Sequence, residues 1–100
     1  MTELSAQEKL DRYFTTLKRF DELLVKRHAL GVELTRMINR TLDTIQHSQY
    51  VVLLFKHKEA RMLLEEIIEL NGDLIKTTEK LNKEAAACGK RGVAIYEQKE

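Results

Sequence analysis

Apolar residues recur every seven positions along most of this chain, which is the period of long helices that pack along a shared seam. The series in the first half is Leu10, Leu17, Leu24, Gly31, Ile38 and Ile45. The series in the second half is Leu53, Ala60, Ile67, Leu74, Leu81, Cys88 and Ile95. The pattern therefore predicts an all-α protein that is built from two long helices.

The helix boundaries follow from local signals. Ser5-Ala6-Gln7-Glu8 fits a capping box, in which the Ser5 side chain accepts the Glu8 amide proton. The period breaks at Gln46-His47-Ser48-Gln49, so we predict a turn there. With no proline to interrupt either helix, we expect one helical domain over residues 1–100, with a first helix over 6–46 and a second over 50–96.

Folding the chain at this turn pairs the two helices in an antiparallel hairpin. Leu24 then lies opposite Leu74, and Arg27 lies opposite Asn71. Coincident polar positions of this kind fix the register of a helix pair. The alternative is a three-helix bundle broken at Asn71-Gly72, since Asn-Gly is a common turn signal. We favour the hairpin because the seven-residue repeat continues through that dipeptide without slipping.

The chain carries more apolar positions than one neighbouring helix can cover. We expect a second hairpin, like or unlike, to cover the extra positions in a four-helix bundle. The alternative is a compact three-helix monomer that buries the apolar positions of both faces internally. Six consecutive apolar residues over 50–55 form an additional docking patch or a buried bundle end. The predicted partner interface consists of Leu23, Leu30, Met37, Leu54, Phe55, Leu63, Ile68, Leu70 and Ile75.

Charge and composition argue against several functional classes. The chain has 17 lysines and arginines against 16 aspartates and glutamates, so it lacks the basic excess of most nucleic-acid-binding proteins. The basic residues near the turn keep a small nucleic-acid-binding regulator as an alternative; they are Arg36, Arg40, Lys56, Lys58 and Arg61. With one cysteine, no signal peptide and no apolar run of membrane-spanning length, we expect a cytoplasmic protein without a membrane span.

Chemistry-bearing residues form no recognisable catalytic or metal-binding pattern. His28, His47 and His57 lack the spacing of zinc ligands. Cys88 falls on the seam, so we predict a buried structural thiol. The acidic group of Glu65, Glu66, Glu69 and Asp73 is expected to be a solvated helix face. We therefore predict no enzymatic activity and no cofactor.

The last five residues, Tyr96-Glu97-Gln98-Lys99-Glu100, fit the pattern Tyr-x-x-x-Glu. Together with the helical hairpin, they give a chain that resembles the small proteins of bacterial type VII secretion, namely the Trp-x-Gly family and the helical partners of LXG toxins. The resemblance implies export without a cleavable signal peptide, with Tyr96 and Glu100 as the recognition signal. The turn departs from that family, because it reads His47-Ser48-Gln49-Tyr50 and lacks Trp-x-Gly.

These observations predict a non-enzymatic interaction module, an adaptor or chaperone-like partner that pairs through helical seams with another helical protein or with itself. The alternative is a coiled-coil subunit of a larger scaffold or tethering complex. The register also predicts that residues after about Gly92 project beyond Ser5 as an accessible tail.

Overall fold

The protein is an all-α helical hairpin, as the sequence predicts. The computed structural model describes the backbone of residues 4–47 and 56–95, and the side chains of 4–40 and 56–95. Helix α1 spans Ala6–His47 and helix α2 spans His57–Ala87. The described residues contain these two helices and no strand. α2 runs without interruption through Asn71 and Gly72, which excludes the three-helix alternative.

The N-terminal end of α1 confirms the predicted cap. The Ser5 side-chain oxygen accepts a hydrogen bond from the Glu8 amide at 3.1 Å, which satisfies one of the free amides of the first turn. At the other end the helix continues through Gln46 and His47, where we predicted a turn. Neither residue type breaks a helix. Ser48 and Gln49 lie outside the described residues.

α2 is shorter than predicted at both ends. Lys56 precedes the helix, and its carbonyl accepts the Ala60 amide at 3.1 Å; residues 50–55 lie outside the described part of the chain. α2 ends at Ala87 and not at residue 96, because Gly89 adopts a positive φ of 71°. The Lys90 amide then bonds to the Ala85 carbonyl at 2.8 Å, which is the Schellman termination that glycine permits.

The chain after α2 folds back against it. The Asn82 side chain donates to the Val93 carbonyl at 2.9 Å and accepts from the Val93 amide at 2.7 Å. We call residues 88–93 the C-terminal hook. A β-carbon at Gly92 would lie 2.7 Å from the Asn82 side-chain oxygen, so a larger residue there would displace the Asn82 side chain. The prediction that the residues after about Gly92 project beyond Ser5 is therefore wrong for Val93, which bonds to α2 at the level of Asn82.

The chain divides into two compact units. Unit 1 comprises residues 1–24 and 72–100, and unit 2 comprises 25–71. In unit 1, the Thr16 hydroxyl donates a hydrogen bond to the Glu84 carboxylate of the other helix. Among the described residues of unit 1, the buried side chains are Thr16, Leu23, Leu74, Thr78, Leu81 and Ala85.

Burial within the hairpin shifts the predicted seam on α1. Leu74 and Leu81 are buried on α2, as the heptad pattern predicts. On α1, however, the most buried positions are Thr16 and Leu23, one residue before the predicted Leu17 and Leu24, which are half-buried. The row of Thr16 and Leu23 and the row of Leu17 and Leu24 are both at least partly covered, because the apolar face of α1 is wider than one row of side chains.

Candidate interaction surface

The predicted partner interface divides into buried and accessible residues. Leu23 and Leu70 are only 2% and 6% exposed, so they belong to the hairpin's own core and cannot contact a partner. Ile68 and Ile75 are exposed at 59% and 41%. Leu30, Met37 and Leu63 are half-buried. Four of the predicted site residues lie outside the described part of the chain, namely Leu54, Phe55, Tyr96 and Glu100.

Unit 2 leaves large apolar side chains in solvent although its two helices contact each other. Ile38 is 43% exposed on α1, and Leu64 and Ile68 are 49% and 59% exposed on α2. Gly31 faces open space, because a β-carbon built on it would meet no atom within 4 Å. We call Gly31, Ile38, Leu64 and Ile68 the apolar side of unit 2.

Helical periodicity brings these four residues to the same side. Gly31 and Ile38 lie seven residues apart, about two turns, and so form one column on α1. That column borders the face of α1 that contacts α2, where the Arg27 side chain bonds to Asn71 at 3.0 Å. Leu64 and Ile68 lie at a border of the face of α2 that contacts α1. They are displaced from that face in the same rotational sense, followed along the chain, as Gly31 and Ile38 are on α1. Because antiparallel helices wind in opposite senses when viewed from one end, the two borders lie on one side of unit 2.

This side is poor in charge. His28 and Thr35 extend it on α1, and both are exposed. Within the described part of unit 2, the charged residues that the period places on or next to this side are Arg27 on α1 and Arg61 on α2. The opposite side of the same unit is strongly charged, since the period places on it Lys26, Glu33 and Arg40 from α1 and Glu59 and Glu66 from α2.

The polar pair predicted between the helices is present, but it lies at the surface. Arg27 donates to the Asn71 side-chain oxygen at 3.0 Å, which confirms the predicted register. Arg27 is exposed, so this pair lies at the edge of the helix contact and not inside it. The long arginine side chain reaches across the edge of the contact and keeps its charge in water.

The acidic group of α2 is a solvated face, as predicted. Glu65, Glu66, Glu69 and Asp73 are all exposed. A surface depression of about 440 Å³ runs along this helix. Its lining residues all lie on one helix and are all exposed, so it is an open groove; they are Met62, Glu65, Glu66, Ile68 and Glu69.

Other candidate residues are not brought together. His28 and His57 are exposed, and the described residues contain no group of three or more histidine, cysteine or acidic side chains that could hold a metal. Cys88 is half-buried in the hook, and its thiol donates to the Ala85 carbonyl at 3.7 Å. The predicted burial of Cys88 in a helix seam is wrong, because α2 ends one residue before it.

The basic residues near the turn are exposed, but acidic residues accompany them. Arg36 forms a salt bridge with Glu33 at 3.1 Å, and Lys58 and Arg61 alternate with Glu59 and Glu65 along α2. The described surface on either side of residues 41–55 therefore mixes both signs of charge. Within the described residues, no helix is both long and apolar enough to cross a membrane.

Sequence reasoning named Ile68 as an interface residue but placed Leu64 and Ile38 in the hairpin seam. The open space at Gly31 was hidden for a related reason, because a heptad pattern assigns every a or d position to the facing helix.

Comparison with other proteins adds no relative, since no protein-family model, curated protein or solved structure matches this chain.

Proposed function

We propose that this chain is a helical protein-interaction module that binds another helical chain through the apolar side of unit 2. The observation that carries the proposal is the exposure of three aliphatic side chains on one side of unit 2, with Ile38 at 43%, Leu64 at 49% and Ile68 at 59%. Single exposed apolar residues are ordinary on a protein surface, whereas a contiguous group of them marks an interaction site.

The type of partner follows from the chemistry of the surface. The apolar side offers branched aliphatic side chains at helical spacing and a gap at Gly31. A second helix can pack its own side chains between these groups and into the gap. A flat polar ligand would leave the aliphatic groups in water, whereas an amphipathic helix covers them. Its binding contribution comes from apolar burial, at about 25 cal/mol per Å² before the costs of association.

The more specific assignments remain predictions. An adaptor or chaperone-like role, a cytoplasmic location and the absence of catalysis are each compatible with such a surface. A role in type VII secretion depends on Tyr96 and Glu100, which lie outside the described residues. The scaffold alternative uses the same surface, so it differs from an adaptor only in the size of the assembly.

The proposal is tested by measuring solution mass and the binding of an apolar fluorescent dye on the same samples. We expect either self-association or a monomer that binds the dye. In the second case Ile68→Glu should lower the dye signal, whereas Met62→Glu should lower it much less, because Met62 lies on the charged side. A stable monomer that binds no dye would show that the apolar side is not an interaction surface.

A further inference from the structure

We propose that the apolar side of unit 2 binds the apolar side of a second copy of this chain, with two-fold symmetry. The proposal rests on the proposed function and specifies the partner. Each copy would contribute the same four residues, Gly31, Ile38, Leu64 and Ile68, so that two hairpins complete a four-helix bundle around them.

The distribution of charge favours a like partner. A two-fold contact brings identical surfaces together, so any like charges on the surface would oppose it. Within the described residues, two charged residues lie on or next to the apolar side, Arg27, which bonds to Asn71, near one end and Arg61 near the other. The net charge of the chain is +1, so two copies repel each other very little. A partner with a charged face would leave its own charges without counter-ions on this side.

The contact pairs α1 of one copy with α2 of the other. Segment 25–40 has four basic residues and one acidic residue, whereas segment 57–71 has two basic and four acidic. Placing α1 against α2 therefore brings opposite net charges together along the edges, and placing α1 against α1 would bring like charges together. A two-fold axis parallel to the helices produces the favoured pairing.

The register of the hairpin then specifies which residues meet. A rotation about an axis parallel to the helices keeps every residue at its own level. Because Arg27 lies at the level of Asn71, Gly31 lies within about one residue of the level of Ile68. The Ile68 side chain of one copy therefore fills the open space at Gly31 of the other. This match of a large side chain to a missing one is the complementarity that tight helix packing requires.

The first test compares two variants by sedimentation equilibrium over a dilution series. We expect the wild type to be a dimer that dissociates on dilution. Ile68→Glu should weaken the dimer by at least about 100-fold, because it buries an uncompensated charge. Met62→Glu is the matched control, since Met62 is similarly exposed at 62% but lies on the charged side. We expect this control to dimerise like the wild type.

The second test exchanges the sizes of the paired residues. Gly31→Leu should weaken the dimer by filling the gap, although nothing in the single chain obstructs the new side chain. Adding Ile68→Ala should restore dimerisation, because the large and small partners have then changed places. Circular dichroism of each variant shows whether the hairpin remains folded. A double variant that is no more dimeric than Gly31→Leu would overturn this pairing.

The outcomes separate this inference from the proposed function. A wild-type monomer that binds the apolar dye overturns the second copy as partner but keeps the surface as an interaction site for a different chain. A monomer without dye binding overturns both. A dimer that Met62→Glu disrupts as strongly as Ile68→Glu would show self-association through another surface, and it also overturns the inference.

Discussion

The two units of the hairpin use the same pair of helices, but among the described residues they differ in how many side chains are buried. Among its described residues, unit 1 has six buried side chains, a cross-helix hydrogen bond from Thr16 to Glu84 and the C-terminal hook. Among the described side chains of unit 2, Leu70 is the buried one. The sequences of both units carry the heptad pattern, so the pattern by itself does not determine whether a helix pair is self-sufficient.

The difference lies in what occupies the seam and what flanks it. Unit 1 fills its contact with Leu74, Leu81 and the small Ala85, which pack closely in a two-helix contact. Unit 2 places Gly31 at a seam position and leaves open space in front of it. The apolar residues that could close this gap stay in solvent, as the exposure of Ile38, Leu64 and Ile68 shows. An open space beside exposed apolar side chains is typical of a surface that another chain covers.

The largest expected effect comes from placing a charge in the core of unit 1. Leu81 is 1% exposed, so Leu81→Asp buries an unpaired carboxylate and should destabilise the fold by about 4 kcal/mol or more. We expect loss of the helical circular dichroism signal at 25 °C. The matched control is Ile75→Asp, because Ile75 is 41% exposed on the same helix. If both variants kept the wild-type melting curve, unit 1 would not be the stable core.

The next effect concerns the C-terminal hook. Asn82→Ala removes both hydrogen bonds to Val93, and we expect a loss of about 1–2 kcal/mol in the free energy of unfolding. Trypsin should then cleave faster at Lys90 and Arg91, because the segment is no longer held against α2. Gly92→Ala should act in the same direction, since its β-carbon would press on the Asn82 side chain. Unchanged cleavage rates in both variants would contradict the hook.

The smallest expected effect has the opposite sign. Gly72 lies inside α2, and a β-carbon there would meet no atom within 4 Å. Gly72→Ala should therefore raise the free energy of unfolding by up to about 1 kcal/mol through helix propensity. Thermal unfolding monitored by circular dichroism measures the change. A destabilised Gly72→Ala variant would mean that this position is in contact with something other than solvent.

Much of the fold was accessible from sequence because its determinants are local or periodic. The capping residue Ser5, the continuity of α2 through Gly72 and the pairing of Arg27 with Asn71 all followed from spacing alone. The end of α2 did not. Glycine at position 89 is a typical termination signal, but the seven-residue repeat continues past it to Ile95 and predicts a longer helix.

The remaining errors involve tertiary contacts that a periodic pattern does not specify. The choice between the columns of Leu23 and Leu24 depends on how α1 rotates against α2, and both columns are apolar. The bond between Asn82 and Val93 joins a helix to an irregular segment, so no period predicts it. The heptad pattern does not distinguish apolar residues that pack within the hairpin from those that stay exposed. The apolar side of unit 2 can therefore be recognised only from the exposure of its side chains.

The central claim is that the core of unit 2 is completed by another chain, and amide hydrogen exchange resolved by residue tests it most directly. In dilute solution, we expect the amides of 25–40 and 57–71 to exchange faster than those of 9–24 and 72–87. Raising the protein concentration should slow exchange in unit 2 far more than in unit 1. Equal protection in both units, independent of concentration, would contradict the claim.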